Sequence, residues 1–498
     1  MRKWFESDLP LDGISIESVE LDAKSRHQLP KLLAGLQYIF ITPSLHEAVF
    51  HILESSVCSK TNKTGRKGMS LWELFVMGVL RLNLDMDYDT LRDIVNNHNS
   101  VRGILGVQTR NVFDEKAKHY PLQTIKDNVS LLDEQTLNAI SLEVVKAGHE
   151  LKKKESDLGA AEPISLKLKT DSYAVESNIH FPTDINLLYD SGRKCLDMIL
   201  KLSKEEKLEH WRKVRAWYKQ LKKRYRKVSN IHRKKGANYK ERLEVATKKY
   251  LKTGRDMEKK LATTLLELDY SNLQVLKIRE SLLYYKLMLV KHIDLVERRI
   301  IKGEKIPHSE KIFSIFEPHV EWIKKGKAGN KVELGHNTVL TTDQHHFILD
   351  HEVMVKESDS QQPIKILNRL QEKFATGYTL ESISFDRGFY SKLSVDALSK
   401  AVTKLVMPSK GRPKKEAKDQ GTEVQKQLTR KLMNKHSAVE SNINELEHSG
   451  VNKVPDKGIK GFKKYVAMGV LAYNLKRLGK MIIDQKLLPT QVALNKAA

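Results

Sequence analysis

The chain has 498 residues, 40% hydrophobic and 30% charged, with 87 Lys and Arg against 62 Asp and Glu for a formal net charge of +25. That length suits about two to four domains; no segment reaches the ~20 consecutive apolar residues of a membrane span, and the opening MRKWFESDLP lacks the apolar core of a signal peptide. Two cysteines, Cys58 and Cys195, exclude a disulfide framework or zinc cluster and point to the reducing cytoplasm, while the basic excess points to a polyanion, nucleic acid ahead of a ribosomal or membrane-surface role, because cations that neutralise phosphates release counterions.

Between Gly65 and Val107 the text predicts two or three short helices. Ser70 and Glu73 have capping-box spacing before the apolar run LFVMGVL, and Asp89 or Thr90 starts a second helix that ends at glycines. Such compact helical pairs bind DNA in some proteins and only pack in others. After the polar stretch 150–163, ISLKLKTDSYAVES alternates at Ile164, Leu166 and Leu168 with Lys167 and Lys169 between them, the period of a strand.

From Leu196 to Lys302 the pattern turns helical and basic. The run 211–240 contains no Asp or Glu and interleaves Trp211, Trp217, Tyr218 and Tyr225 with its cations. A solvated helix face is the bland reading of a charge run. Thirty residues without an acid favour contact with a DNA backbone, through Lys222, Lys223, Arg224, Arg226 and Lys227.

Strand signals return in KVELGHNTVLTTDQHHFILDHEVMVK (331–356), a hairpin or meander turning near TTDQHH. QPIKILNRLQEKFA predicts a helix, YTLESISFDRGFYS (378–391) a strand entering a glycine turn, and AVTKLVMPSK another short strand. GRPKKEAKDQGTE (411–423) is a polar loop whose GRP core reads as a linker rather than a minor-groove hook. Two helices close the chain, Val424–His448 and the apolar GFKKYVAMGVLAYNLKRLG (461–479), which looks built to pack on a sheet.

Three acids fit one chemistry although their local structures differ. Asp171 lies on the first strand, Asp386 ends a later strand where Gly388 permits a sharp turn, and Glu440 sits on a helix. Singly, an acid at a strand end is a cap or turn residue. Together, carboxylates from two neighbouring strand ends and a crossing helix can converge on a pair of divalent ions about 3.5–4 Å apart, with open positions for water and phosphate.

These blocks resemble a family, the DDE transposases of bacterial insertion sequences with an RNase H-like catalytic fold, and within it the ISNCY group. KTDSYAVESNIHFPTDINLLYDSGR (169–193) resembles the first-Asp block and VELGHNTVLTTDQHHFILDHEV (332–353) the hairpin after it. FDRGFYS (385–391) is similar to the second-Asp block, the long segment 430–479 to the Glu block with its closing helix, and 65–107 to the N-terminal domain.

The resemblance implies an α/β fold: an RNase H-like mixed sheet with flanking helices, an N-terminal helical domain and a long basic helical insertion. Its boundaries are expected at 1–150 for the N-terminal, DNA-binding part, 160–196 and 311–482 for the catalytic domain, 197–310 for the insertion and 483–498 for a tail. It implies Asp171, Asp386 and Glu440 as catalytic residues holding Mg²⁺ or Mn²⁺, two ions in all. The implied partners are double-stranded DNA, both terminal inverted repeats and target, and further copies of the chain in the active complex, in the bacterial cytoplasm at the nucleoid and away from membranes. A metal-dependent nuclease without strand joining, or a non-catalytic DNA-binding descendant, are the alternatives.

The family's Y-x2-R-x3-E-x6-K signature is altered here: Met433, His436 and Glu447 stand in the Tyr, Arg and Lys slots around Glu440. His436, one turn before Glu440, and the adjacent Lys435 remain candidate phosphate contacts. The string AVESNI occurs twice, within 170–184 and within 435–448. In the second copy Val439, Ile443 and Leu446 form one helical stripe; in the first the letters continue a strand towards Pro182, which stops a helix. One text is expected in two structures.

Overall fold

The computed structural model describes residues 2–5, 15–60, 68–83, 85–108, 117–156, 162–269, 271–324, 332–409 and 438–485. Two compact units emerge, one from Met1–Asn178 with Ile323–Ala498 and the other from Ile179–Trp322. The second is wider on both sides than the 197–310 expected from sequence. Among the described residues no helix is long and apolar enough to cross a membrane.

The first unit opens with α1 (Gln28–Ile41), α2 (Pro43–Ser59), α3 (Leu71–Asn83), α4 (Tyr88–Asn97), α5 (Asn99–Leu105), α6 (Leu122–Val129) and α7 (Glu134–Glu155). The capping box forms as the spacing predicts: the Glu73 amide donates to Ser70 Oγ at 3.3 Å and the Ser70 amide to Glu73 Oε2 at 2.9 Å. Glu73 is buried, and its second oxygen accepts from Tyr120 Oη at 2.5 Å and pairs with Lys118 at 2.7 Å. The next helix starts earlier than expected, because Asp87, not Asp89 or Thr90, takes the Thr90 amide at 2.7 Å.

The strand β1 (Ile164–Ser177) follows, and it is here that the chain leaves the first unit. The second unit holds α8 (Asp184–Glu205), α9 (Val214–Lys234), α10 (Tyr239–Glu267) and α11 (Leu273–Val296) around a core of its own. α9 shows why: Val214, Leu221, Val228 and Ile231 are buried at helical spacing, which leaves the cations for the other faces.

The chain returns through β2 (Glu321–Lys324), β3 (Val332–Thr342), β4 (Ile348–Val353), α12 (Gln362–Lys373), β5 (Tyr378–Phe385), α13 (Lys392–Ala401) and β6 (Lys404–Val406). It then runs through α14 (Ala438–Leu446), β7 (Lys453–Val454) and α15 (Gly458–Asp484). The centre of the sheet reads β4-β3-β1-β5-β6. β1–β3 and β3–β4 are antiparallel, while β1–β5 and β5–β6 are parallel. This is the mixed sheet that the RNase H-like resemblance implies, in an α/β unit with an N-terminal helical region.

The closing helix packs differently from its expected place on the sheet. α15 lies mainly against α1, α7 and α3 and touches the sheet at β4, so the N-terminal helices share one core with the sheet. At the α1–α15 crossing the backbones nearly touch: a Cβ on Gly35 would stand 2.4 Å from the Leu475 carbonyl oxygen, and one on Gly479 only 1.8 Å from that of Lys31. Neither neighbour is a flexible side-chain tip that could move aside. Gly479→Ala is therefore expected to cost about 3 kcal/mol by overpacking, read as a lower urea midpoint; an unchanged midpoint would mean that this crossing is loose.

Candidate active site

Thr170 on β1 and Phe385 on β5 are register partners in a parallel pair. Asp171 and Asp386 are the next residue on each chain, so the two acids stand side by side at the spacing of neighbouring strands, about 5 Å between backbones. Asp386 lies just past the strand end, where its carbonyl accepts the Phe389 amide at 3.2 Å to close the 3-10 turn Arg387–Phe389. Phe389 is buried against Phe385, ring centroids 5.5 Å apart, and this anchor leaves Asp386 exposed.

Glu440 arrives on α14, which packs on β1. Val439, Ile443 and Leu446 are buried, as the stripe predicts, and Glu440 is left exposed. The helix is also tied to α15: Tyr473 Oη donates to Asn442 Oδ1 at 3.1 Å, and the buried Lys476 reaches Glu445 at 3.4 Å. After Leu446 it passes into a π-helical turn, Glu447–Val451.

Charge links the acids. Burial pushes the Asp171 carboxyl up to about 6, and the neighbouring negative groups of Asp386, Glu440 and Asp359 push the same way, against the Ser172 amide, which donates to Asp171 Oδ1 at 2.7 Å. Sequence reasoning missed Asp359. It sits in a polar connection between β4 and α12, and nothing in its own neighbourhood of the sequence marks it. Among the described residues no three His, Cys, Asp or Glu side chains stand in ion-binding geometry, so the convergence is electrostatic rather than a closed ligand cage.

Glu176, in the first AVESNI, remains on β1 opposite Gly335 and beside Lys453. At five residues from Asp171 it is about 16 Å away along an extended strand. Lys435, His436, Met433 and the GRP segment lie outside the described residues. Lys222, Lys223, Arg226 and Lys227 are exposed on α9 and Arg224 is half-buried.

The aromatic residues of that run are partnered within the second unit, and Lys260 lies over the rings of Trp211 and Trp217 at 5.7 and 5.1 Å. Trp211 is buried and donates from Nε1 to Thr264 Oγ1 at 2.7 Å; Tyr225 stacks on Tyr189 at 4.5 Å and donates to Asn186; Tyr218 donates to Asp197.

Residues 299–475 match the family model for the transposase DDE domain. The chain thus carries a DDE transposase domain, of a polynucleotidyl transferase family. No curated protein and no solved structure matches the chain. The DDE match takes in Asp359, Asp386 and Glu440 but starts beyond Asp171, which joins them through the β1–β5 register.

The raised Asp171 group has a consequence for stability. A folded-state value near 6 against an ordinary 3.8 means that the folded chain binds more protons between those values. Stability therefore falls as pH rises through that window, and the loss is complete above about pH 6. At pH 7.5 in EDTA, Asp171→Asn should raise stability by on the order of 1–2 kcal/mol, an advantage that shrinks as the pH falls below 6. Paired thermal melts at the two pH values check this, and a lower melting temperature for the variant at pH 7.5 contradicts it.

Proposed function

We propose that the chain is the transposase of a bacterial insertion sequence of the ISNCY group, which binds the ends of its own element, cuts the DNA there and joins the 3′ ends to a target. The observation that carries this reading is the meeting of Asp171 and Asp386 on adjacent parallel strands with Glu440 on a helix packed against one of them. The match of 299–475 to the transposase DDE domain supports it.

The donor set suits hard divalent cations. Carboxylate oxygens are the ligands Mg²⁺ and Mn²⁺ prefer, and an Asp171 carboxyl raised first by burial and then by the like charges around it is relieved by a cation among them. Asp171, Asp386 and Glu440 would hold two such ions, whose chemistry is activation of water, and later of a 3′-hydroxyl, for in-line attack on a phosphodiester. The strand acids supply a rigid base, fixed by the sheet, and Glu440 a third carboxylate from the crossing helix. No covalent enzyme intermediate is needed.

On this reading the basic face of α9, with Lys222, Lys223, Arg224, Arg226 and Lys227, follows the DNA backbone at the element ends, and Lys435 and His436 meet phosphates near Glu440. The N-terminal helices contribute to end binding. Bringing two ends together calls for more than one copy of the chain, working in the cytoplasm at the nucleoid.

The direct test uses purified point variants on labelled element ends. Asp171→Asn, Asp386→Asn and Glu440→Gln should each lose cleavage and joining by orders of magnitude while keeping DNA binding. Glu176→Gln should retain most activity. Wild-type cutting should require Mg²⁺ or Mn²⁺, and binding should persist in EDTA. Full cutting in EDTA, or an active Glu440→Gln, would overturn the reading; cutting without joining would leave a nuclease.

A separate measurement addresses α9. Replacing Lys222, Lys223, Arg224, Arg226 and Lys227 with Gln should weaken binding to all DNA sequences and flatten its salt dependence, with the fold intact, because phosphate contacts set both. A folded variant with an unchanged salt slope makes this face merely solvated.

A further inference from the structure

Between β4 and α12 the chain makes a 3-10 turn, Asp359–Gln361. Its start is already capped by a reciprocal box, in which the Ser358 amide donates to Gln361 Oε1 at 2.9 Å and the Ser358 side chain accepts in return. Asp359 thus has no capping duty, the usual employment of an acid at this place. The nearby Glu357 is fully occupied, by Lys365 and Gln362 at 2.6 Å each. Asp359 is not: its Oδ1 is buried and without a hydrogen-bond partner among the described residues. Such an oxygen is costly to retain, and unsatisfied buried groups in native proteins call for a reason.

The other oxygen, Oδ2, lies against the turn that carries Asp386. A Cβ on Gly388 would stand 3.1 Å from it, so any side chain at that position would press on the carboxylate. The Asp359 charge also reaches Asp171. Asp359 thus has an unused oxygen and lies against the glycine of the turn that carries Asp386, with its charge felt at Asp171.

We propose that Asp359 is a fourth carboxylate of the divalent-ion site, acting with Asp171 and Asp386 on the strand side of the cluster. This rests on the reading of the site as one that holds divalent cations. It gives Gly388, whose place in the 3-10 turn requires no positive φ, its use as the gap that lets Asp359 approach. It also supplies a fixed oxygen donor beside the strand acids from a separate connection.

The test is Mn²⁺ binding to the full chain without DNA, followed by the electron paramagnetic resonance signal of free Mn²⁺. Asp359→Asn, Asp359→Ser, Gly388→Ala and Asp171→Asn are compared with wild type, and melting temperature and DNA binding in EDTA report on the fold. Asp359→Asn and Asp359→Ser are expected to weaken Mn²⁺ binding about tenfold or more with fold and DNA binding retained, and Gly388→Ala to weaken it less. Wild-type Mn²⁺ affinity in folded Asp359→Asn, with affinity lost in Asp171→Asn, overturns the fourth carboxylate and leaves the ion site standing. Unchanged affinity in Asp171→Asn as well removes the ion site itself. Misfolding of both Asp359 variants would make the residue a structural acid and also overturn the proposal.

Discussion

The contact on which the first unit depends is made by Asn474, in the middle of α15. Its Oδ1 accepts the Ile348 amide at 2.9 Å, and its Nδ2 donates to the Ile348 carbonyl at 2.8 Å and to Ser141 Oγ at 2.9 Å. One side chain thus pairs with the backbone of β4 as a neighbouring strand would, and at the same time holds α7. Around it α15 is buried from Tyr465 to Lys476, meeting α1, α3 and α7 as well as β4. A helix enclosed on all sides cannot rotate or slide without opening cavities or stranding polar groups, each costly. The elements that touch it are therefore held in one frame, and α14, tied through Tyr473 and Lys476, brings Glu440 into that frame.

The acid cluster works against stability in the same unit. Asp171 is half-buried on a strand with partners on both sides, and its neighbours carry its own sign. A group so placed would be removed by selection for stability alone, whereas sites built to hold a ligand routinely retain strain that the ligand relieves. The central strand is the place where that can be tolerated, because ladder hydrogen bonds to β3 and β5 fix the backbone whatever the side chain costs.

Much of this was legible in the sequence where local periodicity decides structure. The alternation at Ile164, Leu166 and Leu168, the Ser70–Glu73 spacing and the Val439, Ile443, Leu446 stripe each became the expected element. The doubled AVESNI shows the limit of local text: Ala174–Ser177 continues β1 and Ala438–Ile443 is helix. The flanking residues, Leu166-x-Leu168 before one copy and Leu446 after the other, decide which period prevails. Features that depend on distant partners were not readable. α15 looks like a sheet-packing helix because its apolar residues do not name their neighbours, and nothing in 211–240 shows that Trp211 and Tyr225 are partnered by Thr264, Tyr189 and Asn186. Asp359 was invisible for the same reason, since its importance lies in Gly388 and Asp171, both remote in sequence.

The insertion explains why the site is split between what a family match covers and what it does not. The chain leaves the first unit just after β1 and returns to it at Ile323, so the unit of Ile179–Trp322 separates Asp171 from Asp386 in sequence. That inserted unit carries its own apolar core, so its length and surface charge can vary without disturbing the sheet. β1 has no such freedom: a shift of one residue against β5 would turn Asp171 to the opposite face and away from Asp386. The strict requirement therefore falls on the strand register, a relation between distant segments, while the length of the inserted unit between them is free to change.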